Sequence, residues 1–289
     1  MGACCVVWEA RRCGAMMFGL VEPGNPGCRK GFRAVRKHFN FLAVVFAIAL
    51  AAVGSAGQQS TVAQAGARQV HPPVFSVDAA AERIPNLDLL KKEIKEYHDC
   101  TCKCGCYAHD LDVQADRAIA FLRRRVAGRH GQGKRDSKEK LAMVLDIDET
   151  SLSNYPEMVK ADFAYDSKAF DAWVKSAQGQ AIPGSLRLYR EAQRLGVSVF
   201  FITGRPEAER DATERNLKEQ GYRDWQGLTL RRASTAGEST EAYKSAARAE
   251  IAAQGYRIVL NVGDQWSDLR GKPEAEFSVK YPDPFYFIP

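Results

Sequence analysis

Followed along the chain, the pattern of apolar and polar positions changes period. Between Leu87 and Val126 apolar residues recur at helical spacing, as Leu87, Leu90, Ile94 and Tyr97 and then Tyr107, Leu111, Ala115, Ala118, Ile119, Leu122 and Val126. That spacing predicts two helices packed as a hairpin, the first capped by Asn86. After a polar, glycine-containing loop from Gly128 to Lys138, the pattern turns into short continuous apolar runs at 141–145, 197–202 and 257–262. Such runs suit strands buried on both faces. Leu228–Leu230 and Phe277–Val279 are shorter strand candidates, and helical stretches over 184–195, 206–220 and 239–254 each stop at a glycine (Gly196, Gly221, Gly255). The alternation predicts an α/β fold, a three-layer Rossmann-like parallel sheet with helices on both faces and the helical hairpin packed on it.

The first part of the chain obeys a different pattern. Phe41 to Val53 is an uncharged apolar run behind Arg33, Arg36 and Lys37, followed by small residues at Gly54–Ala56 and Ala63–Ala65. A basic, an apolar and a small-residue segment in that order predict a secretory signal peptide within residues 1–56. A buried core helix and an uncleaved anchor are the alternatives; the run is short for a mature membrane span. Residues 1–34 are expected to lie upstream of the true start of translation, near Val35. Residues 57–84, rich in Gln, Ala, Gly and Ser, read as a linker, which leaves 85–289 as the folded domain. No cysteine beside the apolar run is placed for lipid attachment, so no stable membrane anchor is expected after cleavage. The expectation is an exported body, periplasmic or secreted.

Composition narrows the picture by exclusion. With 289 residues, 45% apolar and 26% charged, the chain is neither a disulfide-stapled miniprotein nor a disordered or collagen-like one. Its net charge of +6 belongs to the leader: setting aside seven basic and two acidic residues in 1–56 leaves 34 basic against 33 acidic. A body that close to neutral is not built for electrostatic capture of nucleic acid.

Ligands of a parallel sheet bind beyond the carboxyl ends of its strands. There the sequence places Asp146-Ile-Asp148-Glu-Thr150, then Thr203-Gly204-Arg205, then Gly263-Asp264-Gln-Trp-Ser-Asp268. Asp146 and Asp148 are two apart, so an extended chain turns both to one side. Adjacent carboxylates repel unless a cation sits between them. Asp264 and Asp268 add hard oxygen ligands of the kind Mg²⁺ prefers. One aspartate could then attack phosphorus while the second moves a proton. Thr203 and the Gly204 N–H, expected at a helix N-terminus, and Lys244 in the next helix could neutralise the phosphoryl oxygens.

In these motifs, Asp146-Ile-Asp148-Glu-Thr150-Ser-Leu-Ser-Asn154, Phe-Phe-Ile-Thr203-Gly-Arg-Pro206, Tyr243-Lys244 and Gly263-Asp-Gln-Trp-Ser-Asp-Leu269, the chain resembles the haloacid dehalogenase-like phosphohydrolases. More narrowly it is similar to their acid phosphatase branch, which includes bacterial secreted enzymes and plant vegetative storage proteins. The ending Tyr281-Pro-Asp-Pro-Phe-Tyr-Phe-Ile-Pro289 fits that branch too, and the resemblance spans about residues 85–289. It implies a small cap insertion after the first strand, Asp146 as nucleophile, Asp148 as general acid/base, Thr203 on the phosphoryl group and Lys244 balancing its charge. It further implies Mg²⁺ held by Asp146, the Asp148 carbonyl and Asp264, with Asp268 as a direct or water-mediated ligand, and a small phosphomonoester as substrate. A phosphotransferase and a non-catalytic storage or binding protein are the rival classes.

Other residues carry open readings. Thr150 is expected to brace its loop, Arg205 either to start a helix with Pro206 or to face substrate, and Trp266 to be a packing wedge or a substrate platform. Tyr155, Phe163, Tyr165, Phe170 and Trp173 fall where a cap would sit; Phe170 and Trp173 at i, i+3 read as the core face of a short helix or as a stacking surface. Cys100, Cys102, Cys104 and Cys106 depart from the family pattern. They are the only cysteines beyond the leader, so the readings are local disulfides, a bridge between two chains, redox-labile thiols or a soft-metal site.

Overall fold

The computed structural model describes residues 84–102, 105–131 and 139–289. The leader, nearly all of the linker, Cys104 and the loop 132–138 lie outside the described residues, and with them the signal-peptide expectation.

Helices α1 (Leu87–Asp99) and α2 (Tyr107–Gly131) form the expected hairpin; the Asn86 side chain accepts from the N–H groups of Asp88 and Leu89. Strand β1 (Lys140–Leu145) follows, then an insertion made of β2 (Leu152–Ser153), α3 (Tyr155–Lys160), α4 (Ser167–Ser176) and β3 (Gln180–Ala181). The remainder alternates: α5 (Pro183–Arg194), β4 (Ser198–Pro206), α6 (Arg210–Glu219), β5 (Gly227–Arg231), α7 (Thr240–Ala253), β6 (Tyr256–Gly263), the short α8 (Trp266–Leu269) and β7 (Phe277–Lys280). The main sheet runs β5-β4-β1-β6-β7 with every pair parallel. The insertion closes on itself through antiparallel β2 and β3.

β1 is the middle strand, paired with β4 and β6, and it is buried on both faces. Met143 and Leu145 face a core shared with Leu111, Ala115, Ala118 and Leu122 of α2 and Leu188 and Tyr189 of α5. Ala142 and Val144 face the opposite layer, with Tyr243, Ala247 and Ile251 of α7. Burying a side chain of this size is worth about 1.5–3 kcal/mol. The layer above depends on close helix approach: a Cβ at Gly184 would stand 2.9 Å from that of Ala115, so α5 can lie against α2 only with glycine there.

One boundary differs from expectation. The helix predicted from residue 206 starts at Arg210, because β4 continues in extended form through Thr203, Gly204 and Pro206 and a 3₁₀ turn (Glu207–Glu209) follows. Pro206 therefore ends a strand, and the Thr203–Gly204 pair is not at a helix N-terminus.

Candidate active site

All the polar motifs meet at one edge of the sheet. The Asp146 N–H donates to the Val262 carbonyl (3.0 Å), which ties the end of β1 to β6. The chain then doubles back: the Ile147 carbonyl accepts from the N–H groups of Thr150, Ser151 and Leu152, and Glu149 takes a left-handed conformation, φ +52°. Asp146 and Asp148 consequently face different neighbours.

Asp146 looks toward β6 and α7. Lys244, buried, donates Nζ to Asp146 Oδ1 and Asp268 Oδ1, each at 2.5 Å. Carboxylate oxygens of Asp146, Asp264 and Asp268 all lie within 4.8 Å of one another. Burial drives the Asp146 carboxyl well above its ordinary pKa; Lys244 opposes this, while Asp268, Asp264 and Asp148 add to it. Asp264 is raised in the same sense by burial and by the charges of Asp268 and Asp283. One ammonium does not balance this much buried negative charge, and an all-oxygen donor set suits a hard divalent cation. The cluster therefore fits a metal ion, with Asp146, Asp264 and Asp268 as its side-chain ligands.

The supports of the cluster are as specific as its members. Thr150 donates Oγ1 to Asp264 Oδ1 (2.9 Å), so it braces a carboxylate on another strand besides its own loop. The Gln265 N–H donates to Asp268 Oδ2 (2.8 Å), and a Cβ at Gly263 would collide with that carboxylate, so only glycine fits there. Gln265 Nε2 donates to Asp264 (2.8 Å) and Asp283 (2.6 Å), and Gln265 Oε1 accepts from the Ile288 N–H (3.1 Å). The C-terminal segment is thereby pinned over the site.

Asp148 looks the other way, toward β4 and the insertion. Arg205 grips it with Nη2 at 2.8 Å and Nε at 3.0 Å from Oδ1, and Asn154 Nδ2 donates to the same oxygen (2.8 Å). Burial pushes the Asp148 carboxyl up, but the guanidinium and the amide outweigh it and hold the group below its ordinary pKa. Thr203 Oγ1 lies 3.4 Å from Asp148 Oδ2 and accepts from the Arg205 N–H (3.1 Å). Thr203 itself is fully buried, whereas Gly204 is exposed and lines the cavity above.

That cavity, of about 480 Å³, has Asp146, Asp148, Lys244, Asp264 and Asp268 at its floor. Its walls are Met158, Phe163 and Phe170 of the insertion with Phe285 and Phe287 of the C-terminal segment. Glu209, buried at its side, has an Oε1 with no hydrogen-bond partner, and burial pushes this carboxyl up to about 7.

The sequence-predicted residues thus fall into two groups. Asp146, Asp148, Gly204, Arg205, Lys244, Asp264 and Asp268 line one cavity, with Thr203 beneath it. Arg205 neither starts a helix nor is free for substrate: its guanidinium is committed to Asp148 and to Thr213 Oγ1 (3.2 Å). Trp266 is half-exposed under the Arg270 guanidinium and does not line the cavity. Of the insertion aromatics, Phe163, Tyr165 and Phe170 line the cavity, whereas Tyr155 stacks on His98 and Trp173 donates Nε1 to Asn154 Oδ1 (2.8 Å). The residues that sequence reasoning missed are Glu149, Asn154, Gln265 and Asp283. All four stand inside motifs quoted above without an assigned role: Glu149 accepts from the Asn154 N–H (2.6 Å) and Nδ2 (3.0 Å) across the turn, and Gln265 reaches Asp283 only through the fold.

Comparison with known proteins agrees on one family. A family model described as HAD superfamily, subfamily IIIB (Acid phosphatase) matches residues 58–289. Acid phosphatase 1 of Solanum lycopersicum is 41% identical over 185 residues, 63% of this chain and 69% of that protein. The stem 28 kDa glycoprotein of Glycine max is 37% identical over 150 residues, 50% of this chain and 59% of that one. Vegetative storage protein 1 of Arabidopsis thaliana is 32% identical over 152 residues, covering 50% and 55%. The class C acid phosphatase from Bacillus anthracis shares the fold, with a TM-score of 0.53 and 23% identity over 70% of this chain and 86% of that one.

Proposed function

The chain belongs to subfamily IIIB of the HAD superfamily, the acid phosphatases, and as such is a phosphomonoesterase; we propose that it is an exported, Mg²⁺-dependent hydrolase that works through a phosphorylated Asp146. The observation that carries this reading is the buried meeting of Asp146, Lys244, Asp264 and Asp268 at the floor of a cavity.

Asp146 attacks phosphorus through a carboxylate oxygen; the bond to the leaving alcohol breaks, and an aspartyl-phosphate forms. Asp148 gives a proton to the departing oxygen, then takes one from the water that attacks the same phosphorus, which releases inorganic phosphate and regenerates Asp146. The Arg205 clamp fixes the direction of Asp148 and holds it ionised at rest, so its protonated fraction grows as pH falls. Lys244 opposes the upward shift of the Asp146 carboxyl and offers charge to the phosphoryl oxygens, while Thr203 and the exposed Gly204 N–H offer hydrogen bonds to them. Asp146, Asp264, Asp268 and the Asp148 carbonyl would hold Mg²⁺, which when bound neutralises the crowded carboxylates and the phosphoryl charge. A small phosphomonoester is the proposed substrate, its leaving group lying in the apolar upper cavity.

Acid quenching of a reaction with a ³²P-labelled monoester is the direct test. Label recovered on the peptide containing Asp146, and lost in D146N, supports the reading; steady turnover without a labelled peptide overturns it. Export rests on the segment 33–56 and the translation start on the residues before it; recovering residues 1–30 in mature protein would refute a start near Val35.

A further inference from the structure

Of the reactive side chains away from the phosphoryl floor, Cys100 and Cys106 are joined in a disulfide across the α1–α2 turn, and His98 Nδ1 meets Asp99 Oδ1 at 2.9 Å. Glu209 is not settled in this way. It is 4% exposed, it lines the cavity, and its Oε1 has no hydrogen-bond donor among the described residues. A buried acceptor left unpaired costs about 1–3 kcal/mol, and a buried carboxylate without a counter-ion costs more.

Its neighbours deepen the deficit. Asp171, half-buried on α4, lines the same cavity, and its charge adds to burial in pushing the Glu209 carboxyl up to about 7. The Tyr165 hydroxyl is raised by burial and then by the charges of Asp171, Glu209, Asp148 and Asp166, so these carboxylates gather at one end of the cavity. The cations that line the cavity are committed elsewhere. Arg205 opposes the shift of Glu209 by its charge, but its N–H groups go to Asp148 and Thr213. Lys244 is held by Asp146 and Asp268, and the Arg231 guanidinium by the Glu238 carbonyl. The missing partner is a hydrogen-bond donor that also carries positive charge, and an ammonium group is both. Phe163, Phe170 and Phe285 supply aromatic wall nearby in the same cavity, which suits the methylenes of an alkyl chain and tolerates a cation.

We propose that Glu209 and Asp171 form an ammonium-binding subsite in the leaving-group part of the cavity, so that the preferred substrates are phosphomonoesters of amino alcohols bearing a primary amine. The inference rests on the phosphatase reading above, with the phosphoryl group on the carboxylate floor. Glu209 and Asp171 take no part in the bond changes; they act on the choice of leaving group. The substrate ammonium donates to Glu209 Oε1 and lies against Asp171. A neutral alkyl chain of the same length leaves that oxygen without a donor, and the site rejects it for that reason.

The test sets phosphoethanolamine and its aminopropyl and aminobutyl homologues each against the alkyl phosphate that carries methyl in place of the ammonium. With the full chain and Mg²⁺, at least one amine is expected to exceed its alkyl partner by about tenfold in kcat/KM, the scale of a hydrogen bond to a charged group. E209Q, which keeps the shape and removes the charge, should abolish that preference. D171N, half-buried and so tolerant of replacement, should lower it in the same sense, and circular dichroism checks that both variants are folded. Hydrolysis of nitrophenyl phosphate, which carries no ammonium, reports phosphate transfer separately. Calorimetric binding of the same pairs to D146N reads the preference without turnover and should show it too. Three outcomes overturn the proposal: alkyl phosphates that match the amines at every length, a preference that survives both substitutions, or E209Q slowing amine and alkyl alike, which would make Glu209 a support for Arg205.

Discussion

Two sides of the same strand end are held in opposite electrostatic states. On the β6 side, burial and the neighbouring Asp268 and Asp264 push the Asp146 carboxyl upward, and Lys244, ion-paired with both Asp146 and Asp268, opposes them. On the β4 side, two residues later, Asp148 meets a full guanidinium and an amide, which hold it ionised. The proposed nucleophile should be ionised and the proposed general acid should carry a proton, so in the protein alone each carboxyl is shifted in the direction opposite to its role. The difference shows where charge is still needed. Under the proposed mechanism a divalent ion on the β6 side would favour ionised Asp146, and acid conditions would supply the proton on the β4 side.

The comparison can be broken from its strongest side downwards. D146N should keep the fold and lose about 10³-fold or more in kcat, measured on a chromogenic monoester alongside circular dichroism. D148N should slow an alkyl phosphate by about 10²–10⁴-fold and a nitrophenyl phosphate much less, since the better leaving group needs little protonation. A uniform loss on both would remove Asp148 from the acid role. R205M leaves the Asp148 carboxylate without its buried counter-ion and should cost about 3–5 kcal/mol of stability by denaturant titration. T150V removes one hydrogen bond to Asp264, worth about 1.5–3 kcal/mol, and should raise the Mg²⁺ concentration for half-maximal rate by about tenfold.

The smallest effect comes from a surface control. Glu191 sits between Arg123 and Arg194, whose hydrogen bonds lower its carboxyl from 4.5 to about 2. A depressed carboxyl stabilises the fold above its unfolded value and loses that contribution as pH falls. The Tm gap between wild type and E191Q, worth under about 1 kcal/mol, should hold above pH 4.5 and close toward pH 2. A gap that widens toward pH 2 would contradict the sign.

The sequence made the frame legible because the frame is local. A strand buried on both faces must be apolar throughout, so Leu141–Leu145 declared itself, and polar residues just past such a run must stand at the edge of the sheet. Side-chain partnership is not local. Nothing near Thr150 points to Asp264, and nothing near Gln265 points to Asp283 and Ile288, since both sets of contacts exist only after the sheet has formed. Arg205 shows the limit most directly. Its position beside Thr203 suggested a substrate contact, but the turn at Ile147 swings Asp148 into its reach first. The helix start at 206 failed for a related reason: pairing with β5 at Arg231 keeps Pro206 extended.

The way Gln265 fastens the end of the chain has a practical side. Phe285 is anchored in the core against Tyr107 and Tyr155, whereas Phe287 is exposed and the chain beyond it is held by Gln265; both phenylalanines wall the cavity. A chain cut back to Tyr286 would keep Phe285 in the core and lose the part of the pocket wall that Phe287 and Ile288 supply. The specific activity of a preparation would then report the intactness of its last few residues, which an intact-mass spectrum can verify.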